Sequence, residues 1–169
     1  MAKEMMTLHE ALVDEIRDLY HAEKQLLKAL PKLAKNATDK TLEQALRSHL
    51  TETEEHVTRL EEVFELLEEK VKAKPCAGMA GIVEEGSDAL GEDADGPVLD
   101  AMIIASAQRA EHYERAANGT AAEWAKALGL KDVAALLKQT LGEEEAADKK
   151  LTMIARQGIN AAATAGAEA

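Results

Sequence analysis

Apolar residues recur at intervals of three and four over most of this chain, the period of a helix with one buried face. Leu8, Leu12, Ile16, Leu19, Leu26, Leu27, Leu30 and Leu33 form the first such stripe. Thr7 is a suitable N-cap for it, with Glu10 three residues on as in a capping box, and Pro31 falls in its last turns. Asn36 to Lys40 reads as a turn. A second stripe, Leu42, Leu46, His49, Glu52, His56, Leu60, Val63 and Leu67, predicts a helix from Thr38 or Asp39 to about Lys72. A third helix is expected from about Pro97 to Ala117, broken or kinked at Asn118–Gly119–Thr120 and resuming through Leu128, with Gly129 as C-cap. The last stripe, Val133, Leu136, Leu137, Leu141, Glu144, Asp148, Leu151 and Ile154, predicts a helix from Lys131 or Asp132.

Between the second and third stripes, Lys74 to Pro97 holds Pro75 and glycines at 78, 81, 86, 91 and 96. It reads as a crossover connection carrying one short helix, Met79 to Leu90. A long crossover of this kind is a feature of ferritin-type bundles. No strand-like alternation bounded by turns occurs. The expectation is an all-α fold of four long helices in two hairpins. Residues 1–157 form one bundle domain and 158–169 a flexible tail rich in Ala and Gly.

Composition narrows the function. The chain is 46% hydrophobic but only 2% aromatic, which suits closely packed helices. The net charge of −12 argues against an electrostatic footprint on nucleic acid or on an anionic membrane. No stretch approaches the roughly 20 apolar residues of a membrane span, and Met1 to Glu10 lacks the apolar run of a signal peptide. Cys76 is the sole cysteine, so an intrachain disulfide is excluded. A cytoplasmic protein is expected.

Four interruptions of the stripes carry the chemistry. Glu52 and His56 lie one turn apart in phase with Leu42, Leu60 and Val63. Glu144 and Asp148 repeat the arrangement beside Leu137, Leu141 and Leu151. Glu23 lies in phase with Ile16, Leu19, Leu26 and Leu30, and Glu111 near the small-residue face of the third helix, where Glu114 could serve instead. Carboxylates and imidazoles inside a bundle are costly unless compensated, and a pair of divalent ions is one compensation. Di-iron bundles draw one Glu from each of two helices and a pair from each of the other two. Glu23, Glu52/His56, Glu111 and Glu144/Asp148 give that count in order. Both pairs are spaced by four where three is usual, and Asp148 stands where His is expected. With 32 acidic residues, a hydrogen-bonded polar core without metal is the competing explanation. His49 is also in phase, and a lone His on an apolar face is more often a hydrogen-bonded core residue.

The segments Asp18–Leu–Tyr–His–Ala–Glu–Lys–Gln–Leu26, Ala29–Leu–Pro–Lys–Leu33, His49–Leu–Thr–Glu–Thr53 with His56, Glu111–His–Tyr–Glu114 and Thr140–Leu–Gly–Glu–Glu–Glu145 with Asp148 resemble the YciE/YciF-like family of bacterial stress proteins, part of the ferritin-like superfamily. The resemblance covers about residues 7 to 157. It implies a ferritin-like four-helix bundle with extra short helices, a homodimer, and a buried centre of two Fe ions, or Fe and Mn. Carried onto this chain, the ligands are Glu23, Glu52, His56, Glu111, Glu144 and Asp148. Glu52 and Glu144 would bridge, Glu23 and Glu111 would be terminal, and His56 and Asp148 would complete each ion. Such a centre could reduce peroxide or oxidise Fe(II), drawing on an external electron donor. The alternative is a non-enzymatic helical stress protein acting through association.

Overall fold

The computed structural model describes residues 7–94 and 96–165, and all regular structure among them is helical. Four long helices, α1 (Leu8–Asn36), α2 (Lys40–Leu66), α4 (Gly96–Ala127) and α5 (Lys131–Ile154), form the bundle. A shorter α3 (Ala77–Gly91) lies in the crossover, and a π-helical turn (Ala155–Ile159) leads from α5 into α6 (Asn160–Ala165). No described helix is long and apolar enough to cross a membrane.

The helix ends follow from local chemistry. Thr7 accepts the amide of Glu10 at 3.1 Å, and the Asp39 carboxylate accepts the amides of Thr41 and Leu42. α4 ends in a Schellman motif: Gly129 adopts φ +76°, its amide donates to Lys126 O, and the Leu130 amide to Ala125 O. The same motif closes α2, but with Glu68 at the left-handed position, φ 55°. Pro31 is accommodated inside α1, which continues to Asn36. The expected break at Asn118–Gly119–Thr120 is absent, and α4 runs through it without interruption. The penalty of a mid-helix glycine is only about 1 kcal/mol. Burial of Ala117, Ala121, Ala122 and Ala125 against the rest of the bundle outweighs it.

α1 packs chiefly on α2, and α4 on α5; α2 also meets α5, and α1 meets α4. The crossover therefore joins helices that sit diagonally, and α3 covers α4 and α1. The crossover is stitched along α1 by Lys74 N–H donating to Arg17 O, Cys76 N–H to His21 Nδ1, and Gln25 Nε2 to Cys76 O. At the other end of α1, the buried Asp100 carboxylate accepts the Thr38 amide at 2.7 Å, its hydroxyl at 2.6 Å and the Asp39 amide at 2.9 Å. This fixes the α1–α2 turn to the start of α4. Where a flexible tail from residue 158 is expected, helical structure continues to Ala165, with Ile159 buried. Residues 1–6, 95 and 166–169 of the expected N-terminus, crossover and tail lie outside the described residues.

The apolar core is in two parts. One gathers Leu12, Ile16, Leu19, Phe64, Ala121 and Leu137; the other gathers Leu26, Leu30, Leu46, Ile103, Leu151 and Ile159. Charged residues occupy the layer of the bundle between them.

Candidate metal centre

Heptad spacing brings the polar layer together. The buried seam of α1 runs Leu12, Ile16, Leu19, Glu23, Leu26, Leu30, and that of α2 runs Leu42, Leu46, His49, Thr53, His56, Leu60, Val63. α5 contributes Leu137, Thr140, Glu144 and Leu151. α4 buries two seams at once, because it meets α5, α1 and α3 on different sides, and so both Glu111 and Glu114 face inward. Glu23, His56, Glu114 and Glu144 have no exposed surface, and Glu111 and His49 almost none.

Two groups of potential ligand atoms result, the atoms of each lying within 4.8 Å of one another: His49, Glu111, Glu114 and Glu144 in one, Glu23, His56 and Glu144 in the other. Glu144 belongs to both. His49 Nε2 lies 3.3 Å from Glu111 and 3.7 Å from Glu144, while His56 Nδ1 lies 3.0 Å from Glu144 and 3.4 Å from Glu23. None of these approaches is a well-formed hydrogen bond. Both oxygens of Glu23, Glu114 and Glu144, one of Glu111, and one ring nitrogen of each histidine are buried without a hydrogen-bond partner, nine atoms in all. Native interiors leave few polar atoms in this state, and each requires an explanation.

The opposite nitrogen of each imidazole is held from behind. Glu52 lies 3.2 Å from His49 Nδ1, and Glu143 lies 2.9 Å from His56 Nε2. Arg59 in turn grips Glu143, at 2.7 and 3.2 Å, and donates to Thr140 Oγ1 at 2.6 Å. A carboxylate on the outer nitrogen places the proton there and frees the inner nitrogen as a lone-pair donor.

The electrostatics show what the layer costs without cations. Burial pushes Glu114 well above the usual carboxylate range, and the charges of Glu23, Glu144 and Glu111 add to it. Burial and the adjoining Glu144 carboxylate do the same to Glu111. Glu23 is raised by burial, against the close approach and charge of His56. Glu144 resists its burial: the close approaches of Glu111 and His56 hold it down at about 2. Burial opposes a charged His56, but the close approaches of Glu144 and Glu23 prevail and raise it to about 10. Protons thus stand in where positive charge is wanted. Two divalent ions would balance the four carboxylates with both imidazoles neutral.

Of the residues the sequence singles out, the structure brings Glu23, His56, Glu111 and Glu144 together. Glu52 and Asp148 lie outside both groups. The α2 seam passes through Thr53, one residue beyond Glu52, whose side chain is 42% exposed and directed at the back of His49. Asp148 is likewise off the α5 seam, where Arg115 and Gln108 each donate to it at 2.8 Å and His112 lies 3.3 Å away. Glu114, named only as a substitute for Glu111, joins it, and His49 enters as an equal of His56. The alternation across α1, α2, α4 and α5 is therefore one, two, two, one.

Helix order, crossover and carboxylate–histidine layer define a ferritin-like bundle whose buried His and Glu groups could hold metal. The chain belongs to the family described as a domain of unknown function, DUF892, which matches residues 7–164. It is 41% identical over 157 residues to Protein YciF of Escherichia coli K12, covering 92% of this chain and 95% of that protein. The crystal structure of the E. coli stress protein YciF matches with a TM-score of 0.89 over 92% of this chain and 99% of the other. YcfI from Rhodopseudomonas palustris matches at 42% identity, 90% and 97% coverage and a TM-score of 0.87. A Xanthomonas campestris protein shares the fold at 21% identity, with 96% and 100% coverage and a TM-score of 0.74.

Proposed function

We propose that the polar layer is a dinuclear metal centre, with Glu23, His56 and Glu144 around one ion and His49, Glu111, Glu114 and Glu144 around the other. The nine unpartnered ligand atoms support this reading most directly. Carboxylate oxygens and two imidazoles suit iron, or iron with manganese, and Cys76 belongs to neither group. Such ions supply a ferrous–ferric couple able to reduce peroxide or to oxidise Fe(II). The residues would do the rest: Glu144, which belongs to both groups, would serve both ions, Glu52 and Glu143 would orient the imidazoles, and the two apolar clusters would close the layer at either end. A small cavity of about 140 Å³ between α2 and α5 reaches His49 and Glu111 past Ser48, Glu52 and Lys150, with room for water or peroxide. The E. coli relative is described as a stress protein, which fits a role in handling such oxidants. An external electron donor and a homodimeric assembly complete the proposal.

Elemental analysis after aerobic loading with Fe(II) should give about two metals per chain, and the ferrous protein should consume added peroxide. A wild-type chain that stays metal-free under Fe(II), Mn(II) and mixed loading would sink the reading. It would leave the polar core of a non-enzymatic bundle, in which Arg59, Glu143 and His56 are joined by hydrogen bonds and Glu52 pairs with His49. Sedimentation at several concentrations tests the dimer.

A further inference from the structure

A second cavity approaches the layer from the other side. It lies between α1, α3 and α4, has a volume of about 330 Å³, and is walled by Leu26, Leu30, Leu33, Ile82, Val83 and Leu90. At its inner end are His49 and Glu111, each more than nine-tenths buried, with His49 Nε2 and Glu111 Oε2 lacking hydrogen-bond partners. At its mouth are the exposed Lys28, Lys32, Glu84 and Asp88, two charges of each sign. We infer that this cavity is a binding pocket for a small, predominantly apolar, uncharged molecule, held with one end against the His49–Glu111 edge of the centre.

Three observations select that occupant. The walls are mostly aliphatic: apart from the charged mouth and the His49–Glu111 end, their polar groups are the hydroxyls of Ser87 and Ser106, the second already donating to Met102 O, so a sugar, nucleotide or other polar ligand would leave most of its own groups unsatisfied. The rim charges cancel, so nothing there selects an anionic or cationic head group. A protein partner needs exposed apolar surface around the opening, yet among the described residues the large apolar side chains that are exposed, Leu8, Leu66, Val71, Val98, Leu128 and Met153, are all absent from the cavity lining. The size is also suitable. A dry apolar cavity of about 150 Å³ already binds benzene, so a volume of about 330 Å³ takes an alcohol or arene of medium size. The 140 Å³ cavity is too small for such a molecule, and with Glu52, Glu143 and Lys150 in its lining it would serve water or peroxide instead. The metal reading enters only in making the occupant a substrate; binding itself needs just the pocket.

The test uses 1-octanol as probe and methyl NMR of the full-length chain, metal-free and Zn(II)-loaded in parallel. Saturable shifts are expected at Ile82, Val83 and Leu90, with dissociation in the micromolar to low millimolar range, and none should appear with glycerol. Ala29→Trp places a large ring in the cleft from a half-buried position on α1. It should weaken octanol binding at least tenfold while circular dichroism and zinc uptake stay unchanged. If Ala29→Trp does not fold, Val83→Trp on α3 replaces it. Linear, unsaturable shifts, shifts centred away from the cleft, or undiminished binding in the folded variant would each overturn the inference. Failure to take up zinc while octanol still binds would count against the metal centre alone.

Discussion

Glu114→Gln and Glu52→Gln separate the centre described above from the one expected on helical phase. The Glu114 side chain is fully buried with both oxygens unpartnered, whereas Glu52 is 42% exposed and meets only the outer nitrogen of His49. With four carboxylates and two divalent ions the layer is neutral; Gln at 114 leaves it one unit positive. A unit charge about 4 Å from a divalent ion at an effective dielectric of about 20 interacts with it by about 8 kcal/mol, so even with half of that offset by the burial of the carboxylate the loss is roughly a thousandfold or more in affinity for the neighbouring ion. Glu52→Gln should weaken binding only about tenfold to a hundredfold, as loss of an orienting partner does. Metal at about a hundredfold excess over its dissociation constant stabilises by about 2.7 kcal/mol, which in a chain of this size raises Tm by roughly 5–10 °C. Wild type should show that rise and bind about two metals per chain; Glu52→Gln should show half of it or less at the same metal concentration and recover two metals and the full rise when the metal is raised about a hundredfold further. Glu114→Gln should bind one or none and lose most of the rise. Its metal-free Tm should match or exceed wild type, because burial disfavours the charged form of the Glu114 carboxyl, which Gln replaces with a neutral group of the same shape. Two metals retained in Glu114→Gln, or none in Glu52→Gln, would refute the assignment.

Other consequences can be measured independently. Glu68 holds φ 55° at the end of α2, so Glu68→Gly should stabilise by about 1 kcal/mol in denaturant unfolding, with an unchanged m-value. A Cβ on Gly78 would lie 2.6 Å from Tyr113 Cε2, and that ring is tied down by its hydroxyl donating to Asp18 at 2.9 Å. Gly78→Ala should therefore cost about 1–3 kcal/mol and broaden or shift the Tyr113 resonances. The Cys76 thiol is raised above the ordinary range by burial and its hydrogen bond with Asp18, against the lowering contact of Tyr113. Because the thiolate is the reactive form, iodoacetamide labelling of the folded chain should stay slower than that of free cysteine from pH 7 to 9 and still be rising at pH 9. A plateau reached by pH 8 would contradict it.

The leucine stripes made the four long helices, the Thr7 cap and the Gly129 terminus legible in the sequence, because each rests on local chemistry. The α4 break did not survive, since the cost of Gly119 is small beside burial of the alanines around it. Glu23, His56, Glu111 and Glu144 were visible as polar residues in phase with leucines. The remainder depended on a finer phase than composition reveals. Thr53, polar but fully buried, carries the α2 seam, and reading Glu52 in its place put on the inner face a residue that the structure leaves beside it. In α4, nearly apolar all round near Ala101 to Ala105, periodicity could not say that two faces are covered, so Glu111 and Glu114 read as alternatives. Glu143 and Glu52 act on the far side of the imidazoles, a relation that exists only between helices or across a turn.

The π turn after α5 has a consequence for helix phase. In an unbroken α-helix, residues five apart are rotated by roughly 140°, so Ile154 and Ile159 could not share a side. Here the Asn160 amide closes on Ala155 O, the i→i+5 link of a π turn, which returns the fifth residue toward the face of the first. Ile154 and Ile159 are both buried, while Arg156, Gln157 and Gly158 bulge into solvent. The one extra residue works as a vernier. It resets the helix against α4 so that a last apolar side chain joins the core cluster that holds Ile103 and Ile104.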